Sequence, residues 1–226
     1  MKVTNSQDVL CRKMVEAQLT RRNIKDKNVL SVMEAVPREF FVHDDLKPYA
    51  YEDRPLPIGY GQTISQPYIV AFMLEKAQLN PKDRVLEVGT GSGYEAALLG
   101  NLVKEVYSLD IVQPLVDKAK KLIKNMKLNN VHISYGNGVE GWKEHAPFDV
   151  ILVTAQFPRV PPALIKQLAV GGRLLMPLGE KEDQVLTLLK KESDHEITSS
   201  SLIPVRFVPL LESTTPIIFD KSFYLL

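Results

Sequence analysis

The residues with the clearest chemical potential form a glycine-rich turn, Gly89-Thr90-Gly91-Ser92-Gly93, directly after the short apolar run Arg84 to Val88. Glycines there let the backbone bend sharply and approach a ligand, while the helix that follows offers free N–H groups. The spacing is G-x-G-x-G. A dinucleotide fingerprint needs G-x-G-x-x-G, and its third glycine would fall on Tyr94. That mismatch argues against NAD, whose pyrophosphate demands the closest backbone approach. A nucleoside without phosphate, such as S-adenosylmethionine, is compatible with the tighter loop. Asp110 ends the next strand-like run, where a carboxylate can accept from both ribose hydroxyls of an adenosine. The bland alternatives are a tight turn without ligand for the glycines, and a helix N-cap before Val112 for Asp110.

Such a turn needs a sheet to hold it, and the middle of the chain supplies the pattern. Arg84–Val88, Val106–Asp110, Val131–Tyr135, Phe148–Thr154, Leu174–Leu178 and Gln184–Leu189 read as strands, the last two close enough for a hairpin-like antiparallel connection. Helices are expected at Tyr94–Val103, Val112–Met126 and Pro162–Leu168. The second is the most regular, with Val112, Leu115, Val116, Ala119, Leu122, Ile123 and Met126 on one stripe. Alternating strands and helices imply an α/β fold with a doubly wound, mostly parallel sheet whose ligands bind beyond the carboxyl ends of the strands. Upstream, Asp8–Arg22 reads as an amphipathic helix with Leu10, Met14 and Ala17 on its apolar stripe, and Val29–Ala35 as a shorter one. From Pro37 to Pro67 the prolines are too dense for long elements, and the aromatic content suits a functional loop.

Composition narrows the classes further. Lys and Arg total 28 against 27 Asp and Glu among 226 residues, a formal net charge of +1. That balance argues against a phosphate-tracking nucleic-acid binder. A single cysteine, Cys11, excludes an intramolecular disulfide and a cysteine-built zinc site, and no metal is expected. The polar N-terminus and the lack of a long apolar run predict a cytoplasmic protein without membrane contact.

Several segments resemble the protein-L-isoaspartate O-methyltransferase family. They are Val36-Pro37-Arg38-Glu39-Phe40-Phe41, Tyr51 to Gly59, Gly61-Gln62-Thr63-Ile64-Ser65-Gln66-Pro67, Arg84 to Tyr94, Phe148 to Ala155, Gly171 to Leu174 and Val205 to Leu210. The resemblance implies a Rossmann-like methyltransferase sheet of seven strands, in one domain over 1–226. Residues 1–80 would carry helices and the substrate loop, 81–190 the cofactor core, and 191–226 C-terminal strands and a tail. It implies methyl transfer from S-adenosyl-L-methionine, leaving S-adenosyl-L-homocysteine, to the α-carboxylate of L-isoaspartyl residues in damaged proteins. The ester then collapses to a succinimide, which initiates repair. A methyltransferase dedicated to one peptide, or a cofactor-binding protein without catalysis, are the alternatives. A monomer is expected.

The resemblance also implies site residues. Ser65 would be the catalytic serine whose hydroxyl holds the carboxylate, with Thr63, Pro57 and Ile58 on the substrate side. Gln62, Thr63, Ile64, Ser65, Glu87, Gly89, Thr90, Gly91, Gly93, Asp110, Asn137 and Gly138 would bind the cofactor. Thr63 and Ser65 could instead merely cap the helix beginning near Pro67, and Arg54 could merely pair with Asp53 or Glu52 on the surface. An isoaspartyl carboxylate is ionised at neutral pH, so the reaction needs positioning rather than a general base. Accordingly His43, His132, His145 and His195 lie in no catalytic motif. The chain departs from the family's usual Gly-Asp-Gly at Gly136-Asn137-Gly138, where an aspartate would accept from the adenine amine. Asn137 keeps a carbonyl acceptor but loses the charge, which predicts weaker cofactor binding, unless it serves only the turn. Gln156-Phe157 and Leu210-Leu211 also depart, at the rim of the site. The apolar tail after Leu211 is expected to pack on the sheet as a strand, with a dimer contact as the alternative.

Overall fold

The computed structural model describes residues 6–180 and 182–211. The expected tail strand lies outside them. Seven strands form one sheet: β3 (Arg84–Val88), β4 (Glu105–Asp110), β5 (Val131–Tyr135), β6 (Phe148–Val153), β7 (Leu168–Gly179), β8 (Gln184–Lys191) and β9 (Ile197–Val205), in the order β5-β4-β3-β6-β7-β8-β9. The first five are mutually parallel, while β7–β8 and β8–β9 pair antiparallel. Two earlier strands, β1 (Leu56–Gly59) and β2 (Gln62–Ile64), make a separate hairpin.

Chain order reverses about β3, whose neighbours are β4 on one side and β6 on the other. That is the switch point where open parallel sheets bind ligands. Both faces of β3 and β6 are apolar: Val85, Val150 and Leu152 join one core cluster, and Leu86, Val88, Ile151 and Val153 the other. The first core receives α3 (Pro67–Lys76), α4 (Tyr94–Gly100) and α5 (Gln113–Asn125), together with the N-terminal helices; the second receives α6 (Pro162–Gln167). Full burial of one such aliphatic side chain contributes roughly 1.5–3 kcal/mol, so this double-sided packing makes β3 and β6 the rigid floor of the site.

The α5 stripe matches its periodicity: Leu115, Val116, Ala119 and Ile123 are buried, and Leu122 and Met126 pack partly against them. Helix α4 stops at Gly100, short of the expected Val103. The N-terminal helix needs a correction. A helical run covers Ser6–Arg22 as α1 (Ser6–Met14), a π-helical turn and a 3-10 turn, yet Leu10 is 44% exposed and Ala17 is exposed too. The buried stripe is Cys11, Met14, Val15 and Leu19, rotated by one residue because Cys11 and Val15 supply apolar surface that the Leu10 stripe ignores. Helix α2 (Lys27–Ala35) is capped by Asp26, whose carboxylate accepts from the Asn28 and Val29 N–H groups, a cap worth about 1 kcal/mol.

Candidate active site

The glycine turn leaves β3 at its carboxyl end with Gly89, Gly91 and Gly93 all at positive φ. Gly89 has no alternative. A Cβ there would stand 2.3 Å from Thr154 Oγ1, the hydroxyl that donates to the Gly89 carbonyl at 2.8 Å. The Gly89 and Thr90 N–H groups donate to the Leu109 carbonyl at 2.8 and 3.1 Å, which locks the turn to the end of β4. Tyr94, at the position of the missing third glycine, turns its ring into the core, edge-on to Phe41 at 5.3 Å and 1% exposed. A ring there bars the close helix–strand packing that the third glycine of a dinucleotide site permits.

Asp110 ends β4 and divides its carboxylate between two turns. Oδ2 accepts from the Gly91 N–H at 2.7 Å and Oδ1 from the Val112 N–H at 2.9 Å. Each oxygen retains a lone pair for a further donor. Burial raises its pKa, and these backbone donors oppose the rise. The N-cap of α5 is Val112, without a side-chain cap bond.

Behind the turn lies a buried polar chain: Thr90 Oγ1 meets Ser108 Oγ at 2.5 Å, and Ser108 Oγ meets Glu87 Oε2. Glu87 is fully enclosed, so the structure places it and the Thr90 side chain beneath the turn rather than on its outer surface. Glu95, on α4, is 7% exposed. Oε1 of Glu87 and Oε1 of Glu95 are both buried without a hydrogen-bond partner. Burial pushes the Glu95 carboxyl up to about 8, and burial together with the nearby Glu95 charge pushes Glu87 well above the carboxylate range.

On the neighbouring strand end, the Gly136 N–H donates to the Asp110 carbonyl at 3.0 Å, which ties the Asn137 turn to β4. Asn137 Oδ1 accepts from the Val139 N–H at 3.0 Å, and Nδ2 lies 3.4 Å from Glu140 Oε1. Asn137 therefore does serve its turn. Gly138 admits no side chain, since a Cβ would lie 2.3 Å from Val88 Cγ1 and 3.2 Å from Leu210 Cδ1. Leu210 reaches that point because Gln156 pairs with the returning chain, its N–H donating to the Val208 carbonyl and its carbonyl accepting from the Leu210 N–H, both at 2.8 Å. Gln156 itself is buried, its amide donating to the Gly179 carbonyl.

The β1–β2 hairpin lies over the glycine turn. A Cβ on Gly91 would touch Ile58 Cδ1 at 3.4 Å, and Pro57 pairs with Thr63 and Gly59 with Gln62 across the hairpin. Ile64 is buried, whereas Pro57, Ile58, Gln62, Thr63 and Ser65 are half-exposed. Neither Thr63 nor Ser65 caps α3: the N-cap is Gln66, with no side-chain cap bond. Asp53 meets that helix end instead. It accepts from the Tyr68 N–H at 3.2 Å and, on its other oxygen, from Gln66 Nε2 at 2.9 Å and Arg22 Nη1 at 2.6 Å. Arg54 pairs with Glu52 at the surface, not with Asp53.

Two residues at the site escaped the sequence reading. Asp53 is one, and Arg38 the other: its Nη2 donates to the Ser65 carbonyl at 2.6 Å from a fully buried position. The Pro37-Arg38 motif was visible, but nothing in composition signals a buried guanidinium, since Arg is almost never fully buried. The four histidines all lie away from the glycine turn in sequence, and two of them pair with carboxylates elsewhere, His43 with Asp45 and His132 with Glu105. Among the described residues no three His, Cys, Asp or Glu side chains converge as metal ligands, and no helix is long and apolar enough to cross a membrane.

Residues 10–215 match the family model described as protein-L-isoaspartate(D-aspartate) O-methyltransferase (PCMT). A protein-L-isoaspartate O-methyltransferase of Protochlamydia amoebophila is 49% identical over 200 residues, 88% of this chain and 95% of that one. One of Anaeromyxobacter dehalogenans is 53% identical over 196 residues, covering 86% and 94%. A Plasmodium falciparum structure described as the same kind of enzyme, in complex with S-adenosyl-L-homocysteine, superposes with a TM-score of 0.78 at 29% identity, covering 92% of this chain and 100% of the other. The chain belongs to the protein-L-isoaspartate(D-aspartate) O-methyltransferase family.

Proposed function

We propose that the protein methylates the α-carboxylate of L-isoaspartyl residues, using S-adenosyl-L-methionine, and so initiates repair of aged proteins. The observation that supports this reading is the seating of the β1–β2 hairpin on the glycine turn, Ile58 over Gly91, with Ser65 directly following β2 of that hairpin. The cofactor, when bound, supplies an electrophilic methyl group on a sulfonium. The chain's features fit it: a glycine turn with Tyr94 where a dinucleotide fingerprint has its third glycine, and a carboxylate, Asp110, with spare lone pairs at the switch point. Gly89, Gly91, Gly93 and Asp110 would hold it, with Asn137 and Gly138 at its far end. Gln62 to Ser65 would face it from the hairpin, and Glu87 and Thr90 would stiffen the turn from below.

The chain's own residues then position the other reactant. Ser65 Oγ, half-exposed at the end of the hairpin, donates to the substrate carboxylate and aims one oxygen at the methyl carbon. Pro57, Ile58 and Thr63 form the wall that keeps water out. No side chain has to remove a proton, because the carboxylate arrives ionised. Alignment of this kind contributes roughly 7–11 kcal/mol in well-oriented systems.

By the same reading the protein is a cytoplasmic monomer that binds isoaspartyl proteins and neither nucleic acid nor membrane. Its near-balanced charge supports contact with partners of either sign. It is one domain, with the substrate elements in 1–80, the cofactor core in 81–190 and C-terminal additions in 191–226. Mass analysis of a treated isoaspartyl peptide tests the chemistry: a base-labile methyl ester that decays to a succinimide supports it, and a base-stable methyl group overturns it.

A further inference from the structure

Among the described residues Arg38 is the largest fully buried side chain, and none of their carboxylates is bonded to it. Nε donates to the Ala50 carbonyl at 2.9 Å and Nη2 to the Ser65 carbonyl at 2.6 Å, while Nη1 is buried without a hydrogen-bond partner. Its Cζ lies 5.1 Å from the centre of the Tyr94 ring, the residue directly after Gly93. Asp53 contributes its field, but its own oxygens are taken by Arg22, Gln66 and Tyr68. Burial lowers the guanidinium pKa to about 10, which leaves it cationic at neutral pH. A buried charge satisfied chiefly by carbonyls is a costly way to fill space, and an apolar residue of similar volume does that at less expense. What an apolar residue cannot do is grip the Ser65 carbonyl and lie over Tyr94 at once.

We infer that Arg38 is a positioning residue for methyl transfer, fixing Ser65 relative to the cofactor turn and lending positive charge to the place where the substrate carboxylate lands. This rests on the proposed role of Ser65. The fork holds the Ser65 carbonyl, so the peptide plane that sets the direction of Ser65 Oγ cannot rotate freely. The same guanidinium spans to Tyr94, which begins α4 directly after the cofactor turn. It thereby couples the two halves of the site. A lysine keeps the charge but, as a point donor, cannot reproduce the planar fork across two carbonyls.

The test is a double-mutant cycle of Ser65→Ala and Arg38→Lys, measuring kcat and KM on an isoaspartyl peptide and the affinity for S-adenosyl-L-homocysteine. Each single variant should lose about tenfold or more in kcat, as misplacement of a reacting group costs. In Arg38→Lys, cofactor-product affinity should stay within about threefold. The double variant should be no slower than the worse single variant, because Arg38 acts through Ser65. Full kcat in Arg38→Lys, or losses that multiply in the double variant, overturns the Arg38 assignment while leaving Ser65 in place. Full turnover in Ser65→Ala overturns the Ser65 reading itself, and with it this one. Should Arg38→Lys not fold, the unaltered protein answers. The Arg38 Nε–H resonance should shift when an isoaspartyl peptide joins the S-adenosyl-L-homocysteine complex and stay put with the aspartyl peptide; no shift overturns the inference.

Discussion

The Gly91 N–H donates to Asp110 Oδ2 at 2.7 Å, so the turn after β3 and the acid at the end of β4 form one unit. The other oxygen holds the Val112 N–H ahead of α5. Asp110→Asn leaves one acceptor for two backbone donors and turns an NH2 toward one of them. Hydrogen bonds to a charged group contribute about 1.5–3 kcal/mol. Affinity for S-adenosyl-L-homocysteine should therefore fall by roughly ten- to a hundredfold by calorimetric titration. Unchanged affinity would show that Asp110 is only a structural clasp.

Asn137 stands beside Glu140, and that neighbour reshapes what an aspartate would do there. Asn137→Asp gains a charged acceptor but sets it 3.4 Å or so from a second carboxylate. The single variant should tighten S-adenosyl-L-homocysteine binding by less than about threefold, and Asn137→Asp with Glu140→Gln by about tenfold. Equal affinity in all three proteins would mean that residue 137 serves only its turn.

Glu95 gives a pH dependence with a definite sign. Its carboxyl is raised from 4.5 to about 8 by burial, so between those values the folded protein keeps a proton that the unfolded chain has released. The unfolded state then binds fewer protons, and stability falls as pH rises through that window. Glu95→Gln removes the Glu95 share of the slope, while burial keeps the Glu87 share in place. Its melting temperature should gain on that of the parent between about pH 5 and pH 8, at about 2–4 °C per kcal/mol for a chain of this size. Parallel melting curves for the two proteins would contradict the burial argument.

The parts of the fold that announced themselves are those where one period rules. Helix α5 is buried along a regular stripe and strands β3 and β6 on both faces, so their sequences are dominated by apolar residues at the expected period. Strand β9 has no signal of its own in the residue pattern, because its Thr198-Ser199-Ser200-Ser201 stretch is exposed at the sheet edge and carries no apolar alternation; only the family resemblance places C-terminal strands in 191–226. The β1–β2 hairpin was hidden by its own turn, where Gly59, Tyr60 and Gly61 all take positive φ among prolines that read as loop. The cofactor side of the site was legible because the glycine turn is local in sequence. Arg38 and Asp53 were not, since their partners, Ser65 and Tyr94 for one and Arg22, Gln66 and Tyr68 for the other, meet only in three dimensions.

On the proposed function, this site selects the α-carboxylate of an L-isoaspartyl residue over the side-chain carboxylate of a normal aspartate. The most direct test follows a labelled methyl group from S-adenosyl-L-methionine into paired peptides of identical sequence, one with an L-isoaspartyl linkage and one with the normal aspartyl linkage, in several unrelated sequences. Label is expected in every isoaspartyl peptide and none above background in its aspartyl partner. Equal labelling of the two linkages, or none of either, would contradict it.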